Sequence, residues 1–551
     1  MKVVIVGGVA GGATTATRLR RLNEKAEIIM FERGAFVSFA NCGLPYYIGD
    51  VIKEKENLLL QTPESFKARF NIDVRIKSEV IKIDNENKKV VVKDLNTNTQ
   101  YEEKYDKLVL SPGAEPINPF KEVNSNAIYT LRTVEDSVKI KDYIYQNKPK
   151  RVCIIGGGYI GVELAENVKE LGLEEITIIE KSSHLIAPLD EDMANFVHNK
   201  LIKKGINIIL NNGVEKIEYL TNEFNIKLSE GEIYSDLIIL CIGVKPETKL
   251  AIDAGIEVNS KNSIIVNEYM QTNKKDIYAL GDAVQVTNFV TKEPAYIPLA
   301  GPANKQARVV ANNICGLKGK YDGTLGSSIL KIFEYTLAMC GINESTCKLK
   351  NIPYKKMIIT PYSHATYYPG ATQMTIKAIY KPETGEIIGA QMWGKAGVDK
   401  IADILATAIR MNMTAEDLSN LELCYAPPFS SAKSPINILG NAIENEIDGL
   451  VSNIYIEDVK EKIENNTAII LDVRTDEEYK NGHVANCIHI PLDELRENIG
   501  KLNIDSEIYV HCHTGLRSYI ACRILSQNGF NVKNIIGGDY MMKINGIKFE
   551  K

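Results

Sequence analysis

Two strand–glycine turn–helix–strand units, a stretch of alternating strands beyond them, and a strand–cysteine loop–helix near the C-terminus predict an α/β protein. The first two units read as dinucleotide-binding, Rossmann-like domains; an α+β domain and a smaller α/β domain follow. The glycine turns begin at Gly7 and Gly156, 149 residues apart in a chain of 551. At roughly 150 residues per domain, that length accommodates three or four domains. The formal net charge is −5, from 65 Lys+Arg and 70 Asp+Glu, which argues against nucleic acid or an anionic membrane surface as the main partner. No stretch reaches the ~18 uncharged apolar residues of a membrane span. The apolar start runs into Arg18, Arg20 and Arg21, the reverse of a signal peptide, so it reads as a first core strand.

In the first unit the β-rich run Lys2-Val3-Val4-Ile5-Val6 leads into Gly7-Gly8-Val9-Ala10-Gly11-Gly12, and a helix is expected over 13–22. Glycines let the backbone approach a pyrophosphate, and a helix N-terminus favours its charge. The next strand, Ile28-Ile29-Met30-Phe31, ends in Glu32, 20 residues after Gly12, where a carboxylate meets ribose hydroxyls. Val9 stands in the place of the middle glycine. The second unit has the full pattern: Val152-Cys153-Ile154-Ile155, then Gly156-Gly157-Gly158-Tyr159-Ile160-Gly161, a helix over 162–171, and a strand ending in Glu180. A single glycine fingerprint is weak evidence, whereas two complete units imply two dinucleotides. Apolar strands also run into Ser111-Pro112-Gly113, Ile242-Gly243 and Gly281-Asp282; in this company Asp282 reads as an acceptor for a sugar alcohol. Strands at 374–380 and 387–393 with a helix at 398–411 form the α+β part. Residues 434–450 read as a connection, and strands at 468–471 and 508–510 with a helix at 516–528 make the last unit.

The ten cysteines are too sparse for a disulfide scaffold, form no CxxC or CxxxxC pair and lack zinc-site spacing, so no metal is expected. That usage suits a reducing, cytoplasmic compartment. Cys42 lies in Ser38-Phe39-Ala40-Asn41-Cys42-Gly43-Leu44-Pro45, close behind the Glu32 strand. A thiol beside an oxidised flavin and a helix N-terminus would have its nucleophilic thiolate favoured.

These motifs, and the Ser38 to Gly49 stretch above all, resemble the single-cysteine flavoprotein disulfide reductases, within them the coenzyme A-disulfide reductase family, over roughly residues 1–440. The resemblance implies FAD on the first unit, NADH or NADPH on the second, and a homodimer built through the α+β domain. FAD would be held by Gly7, Ala10, Gly11, Gly12, Glu32, Arg33, Asn41, Cys42, Val80, Ser111, Gly113, Arg132, Gly281 and Asp282. The nicotinamide cofactor would be surrounded by Gly156, Gly158, Tyr159, Ile160, Glu163, Glu180 and Gly243. Glu180 favours NADH through the ribose 2′-OH, while the neighbouring Lys181 tolerates a phosphate. Cys42 would alternate between a mixed disulfide with coenzyme A and a thiolate. Thr14, Arg18 and Arg21 share a helix face, with Ser38 and Asn41 nearby, and would bind coenzyme A; spacing alone favours an ordinary solvated basic stripe. Tyr367 and Tyr425 would protonate or orient the leaving thiolate. The peroxidase relatives need a histidine early in the first helix, where this chain has Ala13, Thr14 and Thr15. Cys42 also has no partner five residues away, which excludes the two-cysteine reductases.

Near the C-terminus, His511-Cys512-His513-Thr514-Gly515-Leu516-Arg517-Ser518 forms a loop between strand and helix whose backbone N–H groups suit an anionic sulfur. With Leu471-Asp472-Val473-Arg474, Gly482-His483-Val484 and Ile535-Ile536-Gly537-Gly538, it resembles the rhodanese family. Four residues separate Cys512 from Arg517, as in sulfurtransferases, whereas the related phosphatases have five. The resemblance makes Cys512 and Arg517 catalytic, with sulfane sulfur on Cys512.

The expected domains are FAD-binding 1–150 and 271–326, NAD(P)H-binding 151–270, dimerisation 327–440, a linker 441–452 and a rhodanese-like domain 453–551. The expected activity is NAD(P)H-dependent reduction of S–S bonds in coenzyme A disulfide, coenzyme A persulfide or polysulfide, with small-molecule partners and neither nucleic acid nor membrane. Two alternatives stay open: an NADH oxidase-like flavoprotein, and a sulfurtransferase with a non-redox flavin module.

Overall fold

A strand covered on both faces must be apolar along its covered length, and Lys2–Val6 is so beyond its first residue, with Val3, Val4 and Ile5 fully buried. In a computed structural model, which describes residues 1–123, 125–465 and 467–551, this strand is central in a parallel sheet. Its neighbours are Glu27–Phe31 on one side and Lys107–Leu110 on the other; Asp73–Arg75 and Ile277–Ala279 form the edges. The second parallel sheet runs Ile206–Ile209, Glu175–Ile179, Arg151–Ile155, Leu237–Leu240, Ile128–Thr130.

That last strand moves the expected boundary at 150: Ile128–Thr130 pairs with Leu237–Leu240, so the second sheet recruits chain from before residue 151. Both helices after the glycine turns also begin earlier than expected, as Ala10–Leu22 and Tyr159–Glu170. A two-stranded antiparallel ribbon, Ala114–Pro116 with Val244–Pro246, carries the chain beyond Gly113 and Gly243.

By contact the chain divides into two units: Met1–Ser183 with Gly205–Gly326, and His184–Lys204 with Ser327–Lys551. The helix Glu191–Lys203, expected within the nicotinamide domain, therefore groups with the second unit. That unit contains an antiparallel five-stranded sheet whose strands Met374–Tyr380 and Ile387–Gly394 are buried throughout. The helix Val398–Arg410 lies on this sheet. The expected linker at 441 is also displaced. Ser434 caps a helix, Pro435–Ile447, that crosses the boundary, and its Glu446 accepts from Lys355 and from the Tyr380 hydroxyl. A parallel sheet, ordered Asn453–Ile454, Asn531–Ile535, Glu507–His511, Ile469–Asp472, Ile488–His489, ends the chain.

Charge explains why the helix Glu191–Lys203 joins the second unit. Lys377, with no exposed surface, pairs with Asp192 at 2.6 Å, Asp190 at 3.0 Å and Glu344. Lys356 joins Glu344 at 2.9 Å and reaches Glu457 in the C-terminal domain. Burial opposes ionisation of Glu344, but the two lysines prevail and hold its carboxyl down at about 2. Rings reinforce the seam. Tyr335 stacks on Trp393 at 4.7 Å, Phe196 on Trp393 at 6.0 Å, Tyr540 packs on Phe196 at 5.6 Å, and His513 on Tyr540 at 5.9 Å. Lys377→Met leaves three clustered carboxylates without their shared cation. It is expected to cost the second unit about 3–5 kcal/mol, read as a lower urea midpoint for hydrogen exchange in the strand Met374–Tyr380; an unchanged midpoint would refute it.

Candidate active sites

The glycine turns hold because nothing larger fits them. Gly7 and Gly156 have φ of +96° and +104°, and an added Cβ would lie 2.0 Å from the Ser111 carbonyl oxygen and 2.4 Å from that of Cys241. Gly12 and Gly161 let each helix close onto its turn: a Cβ there would meet the carbonyl oxygens of Gly7 and Gly156 at 1.8 and 2.1 Å. Gly158, at the N-cap of Tyr159–Glu170, faces open space. That combination of a backbone cradle and a helix N-terminus fits a pyrophosphate. Both units use their acid alike. Glu32 accepts from the N–H groups of Gly8 at 2.9 Å and Gly34 at 2.7 Å, and Glu180 accepts from those of Gly157 and Ser182, each at 2.8 Å.

Around the first cradle, Asp282 follows Gly281 in a short turn and pairs with Arg132 at 2.8 Å, while Gly281 donates to Gln306. Ser111 Oγ crowds Gly11, and Gly113 has φ of +77° beside Arg132. Arg33 forms a two-pronged pair with Glu247, whose carboxyl burial pushes up to about 7. Val80 is a core residue of the strand Ser78–Asp84. Among the described residues, the buried polar atoms without a hydrogen-bond partner include Asn41 Oδ1 and the Tyr296 hydroxyl. Tyr296 lies within the field of Asp282 and Arg132 and was not legible as a site residue. Unsatisfied polar groups of this kind suit a polar ligand, and with the cradle they fit FAD.

Cys42 sits on the turn Asn41–Gly43, is reached by solvent, and is preceded by Ser38 in a left-handed conformation (φ +46°). The expectation that its surroundings favour thiolate meets an opposing field. Burial pushes the thiol up, Glu163 and Asp282 add to the rise, and Arg132 only partly offsets it. Glu163 comes from the helix Tyr159–Glu170 and accepts from the Tyr46 hydroxyl at 3.2 Å; burial pushes its carboxyl up to about 7. Thr14 and Arg18 turn toward the helix Ala300–Ile314, bonding Asn304 at 2.6 Å and Asn312 at 3.1 Å, while Arg21 is exposed. Tyr159 and Ile160 open the second helix, and Gly243 (φ +103°) faces open space.

In the second unit, the hydroxyls of Tyr367 and Tyr425 lie 2.8 Å apart at the surface. Cys512 is buried behind its loop; the Gly515 N–H donates to its sulfur at 3.1 Å, and the Ser518 hydroxyl lies at 3.5 Å. Arg517 reaches the same thiol and is paired with Glu478. Beneath the loop, Arg474 bonds Asp472 and Asp539, and His513 Nδ1 lies 2.6 Å from Asp539. Sequence reading assigned no role to Glu478 or Asp539. All ten cysteines are free, and no described helix is long and apolar enough to cross a membrane.

Two dinucleotide cradles with a thiol-bearing turn beside the first define an oxidoreductase of the two-dinucleotide class. The chain belongs to the pyridine nucleotide-disulphide oxidoreductase family, whose model matches residues 1–307; the family's dimerisation domain matches 327–435 and a rhodanese-like domain matches 456–539. Coenzyme A disulfide reductase of Staphylococcus aureus (strain JH9) is 39% identical over 440 residues, 80% of this chain and 99% of that protein. Reduced CoADR-RHD of Bacillus anthracis superposes with a TM-score of 0.95 at 46% identity, covering 98% of both chains. An NAD-dependent persulfide reductase from A. fulgidus gives 0.93 at 36%, covering 98% of this chain and all of that one. A water-forming NADH oxidase from Lactobacillus brevis gives 0.78 at 27%, covering 82% and 99%. Membership implies FAD and a reduced pyridine nucleotide, and the dimerisation domain suggests a homodimer.

Glu163→Gln removes one of the carboxylates that push the Cys42 thiol up. At pH 8, where Glu163 is ionised, Cys42 alkylation is expected to be several-fold faster in the variant. At pH 6, where Glu163 is protonated, the two rates should agree. The same ratio at both pH values would overturn this account.

Proposed function

We propose that the protein uses NAD(P)H to reduce S–S bonds of coenzyme A disulfide, coenzyme A persulfide or polysulfide at Cys42, with Cys512 carrying sulfane sulfur. The observation that carries this reading is the turn Asn41–Gly43, which sets a solvent-reached thiol against the first dinucleotide unit. The 39% identity with a coenzyme A disulfide reductase supports the coenzyme A substrates, and the likeness to a persulfide reductase at 36% supports the persulfide. Bound flavin would pass two electrons from the nicotinamide to sulfur.

The Cys42 thiolate attacks a disulfide R–S–S–R, forming Cys42–S–S–R and releasing RS⁻. Two electrons then split the mixed disulfide into the Cys42 thiolate and a second RS⁻. With a persulfide R–S–SH, the thiolate takes the outer sulfur as Cys42–S–SH and releases RS⁻; two electrons return the thiolate and HS⁻. Glu163, ionising near neutrality, is assigned a proton of this cycle. The Tyr367–Tyr425 pair is assigned the protonation of the departing thiolate, reaching it through the dimer. Thr14, Arg18, Arg21, Ser38 and Asn41 are assigned to coenzyme A, and Glu180 to the ribose 2′-OH that carries the phosphate in NADPH.

Single-turnover reduction by NADH, followed by coenzyme A disulfide or polysulfide, tests the assignment. Cys42→Ser is expected to lose at least about a hundredfold in rate on every S–S substrate, and full retention on all of them would sink the reading. Cys512→Ser is expected to slow polysulfide or persulfide reduction while sparing coenzyme A disulfide. Equal effects on both would remove Cys512 from sulfur delivery.

A further inference from the structure

The cation of the Cys512 loop does not face an incoming donor unpaired. Arg517 gives Nη1 to Glu478 Oε2 at 2.6 Å and Nη2 to Oε1 at 2.7 Å, a fork-on-fork pair that uses both terminal nitrogens. Glu478 is fixed for this task. It is the third residue of the helix Asp476–Lys480, and its carboxylate accepts from the Thr475 N–H and hydroxyl, each at 3.0 Å, in a capping box. Arg517 holds that carboxyl down at about 2, so it stays charged at any working pH. The loop's other candidate cation, His513, is likewise turned to a carboxylate, that of Asp539. Toward the sulfur there remain the Gly515 N–H, the Ser518 hydroxyl and a guanidinium whose charge is compensated.

We propose that Glu478 is a specificity-determining residue of the Cys512 site, setting it against dianionic sulfur donors such as thiosulfate and for donors ending in a persulfide, R–S–SH. This rests on the reading of Cys512 as a sulfur carrier. With a persulfide, the Cys512 thiolate bonds to the outer sulfur, the donor S–S bond breaks, and RS⁻ leaves with the electron pair and one negative charge. With thiosulfate the same exchange gives Cys512–S–S⁻ and SO₃²⁻. Three negative charges then converge on a cradle whose arginine is already matched by Glu478, and neutralising Glu478 returns that cation to the donor.

Sulfur transfer to cyanide, read as thiocyanate, tests this in the full-length protein with thiosulfate and glutathione persulfide as donors. In Glu478→Gln the ratio of kcat/KM for thiosulfate to that for the persulfide should rise about tenfold, chiefly through a lower KM for thiosulfate. The amide can still accept at the helix cap, and unchanged NADH-dependent coenzyme A disulfide reduction at Cys42 verifies folding. Glu478→Asp, which draws the carboxylate back from Arg517, should move the ratio in the same direction. A ratio unchanged within twofold in both variants, or a rise confined to kcat, overturns the proposal. Cys512→Ser separates the two levels: transfer that persists without Cys512 sinks the carrier reading itself, whereas transfer lost from both donors with no change of ratio in the Glu478 variants sinks only the role of Glu478.

Discussion

A lysine with no exposed surface organises the second unit. The Lys377 ammonium is the shared cation of Asp190, Asp192 and Glu344, so the strand Met374–Tyr380 is tied to the start of the helix Glu191–Lys203 and to that of Glu344–Lys350. Lys356 extends the arrangement to Glu457 and so to the C-terminal domain. Desolvating several charges together is costly, and the return is geometric: misplacing any one of these elements strands a charge. The Cys512 loop inherits that precision, because Tyr540, directly after Asp539, packs on Phe196 in the same helix that carries Asp192.

The nucleotide units answer the same electrostatic demand with backbone instead of side chains. Glu32 and Glu180 each draw two N–H groups, which locks the end of the second strand to the glycine turn. Glu163 is handled differently: its side chain takes a neutral phenol, Tyr46, as donor and ionises near neutrality beside Cys42. Backbone donors thus hold the acids of the glycine turns, whereas a side-chain phenol holds Glu163.

Legibility in the sequence followed the range of the forces involved. The glycine turns, their strands and the terminal acids were readable because each is a local steric requirement, concentrated within a few residues of Gly7 and Gly156. The strand Ile128–Thr130 was not, since three half-buried residues carry no periodicity and its place depends on pairing with Leu237–Leu240. The helix Pro435–Ile447 was read as a connection because its apolar face is interrupted by asparagines and Gly440, although Ser434-Pro435 is a strong helix start. Glu478 lay inside the acidic run Asp476-Glu477-Glu478, which reads as an ordinary first turn; only the folded chain shows which carboxylate meets Arg517. The field on the Cys42 thiol was hidden for the same reason, its sources lying as far along the chain as Glu163 and Asp282.

The stacked seam of the second unit has an optical consequence. Trp393 is the chain's one tryptophan, is almost fully buried, and lies parallel to Tyr335 with an interplanar angle of 8°. Through Phe196 and Tyr540 its ring contacts lead to His513, the residue after Cys512. Indole emission excited at the red edge therefore comes from a single site against a background of 26 tyrosines, and that site is joined by a chain of rings to the Cys512 loop. The molecule carries a built-in fluorophore for the rhodanese-like end of its chemistry, complementing the visible absorption that a flavin brings to the other.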